Sequence, residues 1–152
     1  MIEPGAKAPD FTLRDQDGGS VSLSDFSGRR LVLAFYPNDF SPVCTDQLSI
    51  YQEVLDEIEG RNAALVGISV DSAYCHAAFR EKLGLSIPLL ADFYPQGEVC
   101  DSYGALIAKR GHANRSLVLV DGEGTVAWSH AADTPLEIPG ANLIFDALDQ
   151  AG

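Results

Sequence analysis

The segment Pro37-Asn38-Asp39-Phe40-Ser41-Pro42-Val43-Cys44 is the part of this chain best suited to chemistry, because it carries a thiol from an apolar run into an amphipathic stretch. Ser41 is placed to cap a helix, and Pro42 to take its first position, where a missing backbone donor loses nothing. Cys44 then falls in the first helical turn. There the unpaired backbone N–H groups and the positive end of the helix dipole favour a thiolate, the nucleophilic form of cysteine. The same N–H groups, with the Ser41 hydroxyl as donor and acceptor, suit the oxygens of a small electrophile. A cysteine at a helix start can also be inert filler, so its neighbours must decide.

The third residue after Cys44 is Gln47, so no C-x-x-C pair exists and dithiol exchange is disfavoured. Arg115 immediately precedes the apolar run 116–120. A lone arginine is usually a solvated surface charge. If run 116–120 is a strand antiparallel to run 31–36, however, its start lies where the Cys44 loop leaves the sheet, and the guanidinium approaches the thiol.

The elements that must position these residues follow from periodicity. Apolar, β-branched runs at 31–36, 63–70 and 116–120 read as strands, and helix-compatible stretches after the first two give a βαβ arrangement with a buried sheet. Asp121-Gly122-Glu123-Gly124 leading into 125–129 predicts an antiparallel hairpin. Leu48, Tyr51, Leu55 and Ile58 recur on one face of a helix that begins near Cys44. Further helices are expected over 72–83, stopped by Gly84, over 97–103 and over 141–150, with a loop at 106–114. The fold class is α/β: a central mixed sheet with helices on both faces, thioredoxin-like rather than flavodoxin-like because of the hairpin.

Composition narrows the function. With 152 residues the chain suits one domain, 1–152, and 10 Lys plus Arg against 22 Asp plus Glu give a net charge of −12. That charge repels phosphate backbones and anionic lipids, so nucleic-acid and membrane partners are not expected. No apolar stretch nears the ~20 residues of a membrane span and no signal core opens the chain, which points to a cytoplasmic protein. Cys44, Cys75 and Cys100 lack zinc-site spacing, as do His76, His112 and His130, so neither a metal nor a cofactor is implied. Cys75 and Cys100 read as small buried residues. A phosphate- or flavin-binding domain would need a glycine-rich cradle after its strands, and none is present.

Pro37-x-x-x-Ser41-x-x-Cys44 resembles the peroxiredoxin signature P-x-x-x-[T/S]-x-x-C. Similar segments keep family order along nearly the whole chain: Gly5-x-x-Ala8-Pro9-Asp10-Phe11-x-Leu13, Gly67-Ile68-Ser69-Val70-Asp71-Ser72, Ile87-Pro88-Leu89-Leu90-Ala91-Asp92 and Asn114-Arg115-Ser116. Asp92-Phe93-Tyr94-Pro95-Gln96-Gly97 looks most like the alkyl hydroperoxide reductase E subgroup, with the bacterioferritin comigratory protein (peroxiredoxin Q) subgroup next. The resemblance implies a thioredoxin-like fold and a thiol peroxidase acting on hydrogen peroxide and organic hydroperoxides. By it Cys44 attacks the peroxide, Ser41 takes the usual Thr position, Pro37 shields the pocket, Arg115 stabilises thiolate and displaced oxygen, and Gln47 supports Arg115. Positions where relatives often carry a resolving cysteine hold Ser49 and Arg80. An external reductant is therefore expected, either a low-molecular-weight thiol or a thioredoxin- or glutaredoxin-like protein. Resolution by Cys75 and a non-enzymatic redox sensor are the alternatives, in a monomer or homodimer.

Overall fold

In the computed structural model, which describes residues 1–151, strict alternation along β3 (Arg30–Phe35) builds two cores at once. The last residue of the expected domain, Gly152, lies outside the described residues. Val32, Ala34 and the following Tyr36 turn to one face of the sheet, and Leu31, Leu33 and Phe35 to the other. A strand apolar on both sides must be covered on both sides, so β3 sits inside the sheet. Its neighbours are β4 (Ala63–Ser69), which is parallel to it, and β8 (Ser116–Val120), which is antiparallel. In sequence, β1 (Thr12–Arg14) and β2 (Ser20–Ser22) precede β3. After β4 come β5 (Leu89–Ala91), β6 (Leu106–Ile107) and β7 (His112–Ala113), and β9 (Val126–Ala131) follows β8. The seven-stranded mixed sheet runs β2-β1-β5-β4-β3-β8-β9, and β6 pairs with β7 separately.

Helices α1 (Pro42–Glu53), α2 (Leu55–Glu59), α3 (Ala73–Leu83) and α5 (Ala141–Ala151) contribute Leu48, Ile58, Phe79 and Leu148 to the core on one face. The other face is closed by α4 (Glu98–Ser102), through Val99, Cys100 and Tyr103, and by the N-terminal segment through Ala8 and Phe11. Helices on both faces and the β8–β9 hairpin match the expected architecture.

Two local differences have simple causes. The single helix expected from Cys44 through Ile58 is two, because Val54 leaves helical geometry at φ −109° and ψ 8° and its N–H turns to Tyr51 O, 3.2 Å, one residue short of the α-helical partner. The apolar face survives the break, since Leu55 and Ile58 remain buried. The expected loop at 106–114 contains the β6–β7 hairpin, whose two-residue strands are too short to show a period. The three-residue strands β1 and β2 show no period for the same reason.

α1 rests on the sheet at Gly67, where an added Cβ would lie 2.9 Å from Leu89 Cδ2, 3.1 Å from Tyr36 Cε1 and 3.6 Å from Leu48 Cδ1. Glycine lets the helix that carries Cys44 sit close to β4. Gly67→Ala should therefore destabilise the fold by about 1–3 kcal/mol through overpacking. Denaturant unfolding checks this, and a shift in midpoint at unchanged slope is the expected result.

Candidate active site

β3 ends at Phe35, and the chain turns through Tyr36–Phe40 before α1 begins. Phe40 takes φ +68°, a left-handed backbone that a bulky side chain adopts only when its surroundings hold it there. Its ring packs edge-on against Phe79 at 5.2 Å, with Lys82 Nζ 5.7 Å above it. Ser41 then caps α1 as expected: its Oγ accepts from Cys44 N at 3.3 Å, and Pro42 opens the helix. Cys44 is a free thiol with 0% of its surface exposed, and Pro37 is buried beside this turn.

Arg115 is no surface charge, being only 2% exposed. Phe35 pairs with Ser116 across the β3–β8 ladder, so the residue before Ser116 meets the loop that leaves β3. Its Nη1 donates to Cys44 Sγ at 3.0 Å and to Gln47 Oε1 at 2.7 Å, while Nε donates to the Pro135 carbonyl. Four of the residues singled out from sequence therefore form one cluster: Ser41, Cys44, Gln47 and Arg115. A guanidinium donating to a buried sulfur is a charge-assisted arrangement that suits a sulfur anion, and it also suits a negative charge developing on an atom displaced from that sulfur.

The other side of the loop holds a polar cluster that periodicity did not predict. Asp39 accepts from the Tyr36 hydroxyl at 2.6 Å and lies 2.6 Å from His76 Nδ1, while His76 Nε2 faces the Leu90 carbonyl at 3.1 Å. Both ring nitrogens of the buried His76 thus face oxygen atoms. Burial, and then the Asp39 carboxylate, push the Tyr36 phenol well above its ordinary value and keep it a donor. The Asp39 N–H donates to Asp71 Oδ2 at 2.8 Å, tying the loop to the start of α3. Asp39 lies in the turn-like run Asn38-Asp39-Phe40-Ser41 and His76 in a helical stretch, and no sequence signal pairs them across the chain.

Cys75 reproduces the local grammar of Cys44. Ser72 caps α3 and its Oγ accepts from Cys75 N at 3.2 Å. Yet Cys75 Sγ lies 3.9 Å from Asp71 Oδ1, and burial followed by the Asp39 and Asp71 charges pushes its thiol up to about 12. Cys75 is half-buried rather than a fully buried core residue. Cys100 is the buried filler expected, its thiol pushed far up by burial and by Asp92. Asp39, Asp71 and Cys75 lie close enough to share an ion, but Asp39 and Asp71 already accept from protein donors.

The site thus combines a buried thiol at a capped helix start with an arginine brought to it across a thioredoxin-like sheet. Residues 4–129 match the model of the AhpC/TSA family. The chain is 36% identical over 149 residues to alkyl hydroperoxide reductase E of Mycobacterium tuberculosis, covering 97% of both. It is 44% identical over 91 residues to a chloroplastic peroxiredoxin Q of Oryza sativa subsp. japonica, covering 60% of this chain and 42% of that one. Its backbone superposes on the crystal structure of peroxidoxin BcpB from Mycobacterium tuberculosis with TM-score 0.86 and 27% identity, covering 99% and 98% of the two chains. The chain belongs to the AhpC/TSA family, the peroxiredoxins, and is a thiol-dependent peroxidase.

The two capped cysteines should separate in a pH series. A thiol at about 12, raised from 9.0, is almost wholly protonated at neutral pH, so alkylation of Cys75 by iodoacetamide should climb about tenfold per pH unit through pH 10 without a plateau. Asp71→Asn should shift that curve to lower pH, speeding alkylation at any given pH, by removing one of the charges that raise the thiol. Peptide-resolved mass spectrometry checks both.

Proposed function

We propose that Cys44 is the peroxidatic nucleophile of a 1-Cys cycle. Its thiolate attacks the terminal oxygen of hydrogen peroxide or an organic hydroperoxide, the O–O bond breaks, and the leaving oxygen departs as water or alcohol after taking a proton. Cys44 is left as a sulfenic acid; one external thiol attacks it, expelling water and forming a mixed disulfide, and a second thiol attacks that disulfide, freeing the Cys44 thiol and leaving the reductant as its own disulfide. The observation that carries this proposal is the 3.0 Å contact between Arg115 Nη1 and Cys44 Sγ. In this role Arg115 holds the thiolate and stabilises the displaced oxygen, Ser41 orients the peroxide, and Pro37 shields the pocket from water. The full burial of Cys44 favours a slim substrate.

An external reductant, whether a low-molecular-weight thiol or a thioredoxin- or glutaredoxin-like protein, is supported by the surroundings of Cys75. A resolving thiol must attack as thiolate, and burial, followed by the Asp39 and Asp71 carboxylates, opposes that form at Cys75. A cytoplasmic location accords with three free cysteines. A sensor without turnover would have less use for a guanidinium aimed at a leaving oxygen.

Cys44→Ser should reduce peroxide consumption to background. In the parent chain one equivalent of peroxide should add the mass of one oxygen, trapped by dimedone on Cys44. A loss of two hydrogens with a Cys44–Cys75 peptide would instead establish internal resolution, and full turnover by Cys44→Ser would refute the assignment outright.

Arg115→Ala should slow Cys44 oxidation by roughly 100-fold or more, the scale seen when one donor to a developing oxyanion is lost. It should also slow alkylation of Cys44 at neutral pH, because the charge that favours the thiolate is gone. Rapid-mixing oxidation and iodoacetamide kinetics measure the two effects separately, and unchanged rates in both would remove Arg115 from the reaction.

A further inference from the structure

Tyr51 lies one helical turn beyond Gln47 on the buried face of α1, with 0% of its surface exposed. As core filling, leucine or phenylalanine would serve there equally well, so the hydroxyl needs its own explanation. It joins a chain of hydrogen bonds that can run in one direction only. Arg115 can only donate, so Gln47 must turn Oε1 toward it, 2.7 Å away. That leaves the amide donor Nε2 facing the Tyr51 oxygen at 3.2 Å, and the Tyr51 hydroxyl then donates to the Pro139 carbonyl at 2.6 Å. A backbone carbonyl cannot reverse its role, so the far end of the chain is fixed. Burial pushes the Tyr51 phenol up to about 12, although Gln47 and Arg115 pull the other way, and the hydroxyl therefore keeps the proton it donates. The same stretch of chain supplies Pro135, whose carbonyl accepts from Arg115 Nε.

We infer that Tyr51 is a positioning residue for the peroxidase reaction: its hydroxyl sets which way the Gln47 amide faces, and thereby where the Arg115 guanidinium stands beside Cys44. The inference rests on Cys44 being the attacking thiol. Without the hydroxyl, either end of the Gln47 amide can turn to Arg115, and the wrong end opposes donor to donor. The guanidinium then keeps its charge but loses its second anchor, one that holds it at the sulfur.

The test is a mutant cycle read as the rate constant for Cys44 oxidation by hydrogen peroxide in rapid mixing. Tyr51→Phe should slow oxidation by about three- to tenfold, the scale of one net hydrogen bond. In a Gln47→Ala background the same change should add nothing, because there is no amide left to orient. In a Gln47→Glu background it should cost little, since a carboxylate presents an acceptor oxygen either way round. A general loss of packing would slow all three backgrounds alike. Equal slowing in all three, or no slowing in the parent, overturns the inference. Tyr51→Leu, which keeps apolar filling without the hydroxyl, is judged by the same criteria should Tyr51→Phe not fold. Peroxide consumption by Cys44→Ser would refute the Cys44 assignment itself, whereas an inert Cys44→Ser with an unchanged Tyr51→Phe rate refutes only the role of Tyr51.

Discussion

A guanidinium and a sulfur held 3.0 Å apart, both nearly without solvent, form the interaction on which the rest of this structure depends. Each partner would be costly alone. A buried arginine needs acceptors for its donors, and a buried sulfur anion needs a positive charge to replace the water it has lost. Bringing them together from positions 71 residues apart is a demand on topology rather than on local sequence. An antiparallel β8 beside β3 meets that demand, because only opposed directions put the start of one strand at the end of the other. A parallel β8 of the same composition would carry Arg115 to the far edge of the sheet.

Much of this was legible in the sequence because the main strands are long enough to show their period and the hairpin signal Asp121-Gly122-Glu123-Gly124 fixed one antiparallel pairing. Ser41, Pro42 and Cys44 were readable for a similar reason, since caps act within a few residues of each other. Arg115 was legible only conditionally, through an assumed pairing that the structure bears out. The Asp39–His76 contact, the Gln47–Tyr51–Pro139 chain and the Asp71 carboxylate beside Cys75 were not legible. Asp39 and His76 are far apart with no period to pair them, the period of Tyr51 reports burial and is silent about a hydroxyl, and Asp71 precedes the cap of α3, outside the helical period that could have paired it with Cys75.

The Cys44 loop is held from two sides by unlike means. On one side Asp39 is fixed by Tyr36, by His76 and, through its own N–H, by Asp71, so the turn is bound to α3 and to the β5 carbonyl of Leu90. On the other, Arg115 is bound to the segment that includes Pro135. Between these anchors Phe40 keeps a backbone conformation that an unrestrained chain would seldom adopt. A loop fixed this way presents its thiol in one place, which is what an attack on a small, weakly bound molecule requires.

Cys44 and Cys75 also form an internal comparison that bears on what makes a cysteine reactive. Both follow Ser-x-x, both stand third in a helix, and both give their N–H to the capping serine at nearly the same distance, 3.3 and 3.2 Å. The helix dipole and the cap are therefore common to the two sites and cannot be what distinguishes them. What differs is the charge brought by the rest of the fold: a guanidinium at Cys44, and the carboxylates of Asp39 and Asp71 at Cys75. In a chain of net charge −12, carboxylates are the common neighbour and a buried arginine is the rare one. The helix start supplies the same local geometry to both cysteines, and the long-range pairing of β3 with β8 brings an arginine to one of them, the difference on which the proposed role of Cys44 rests.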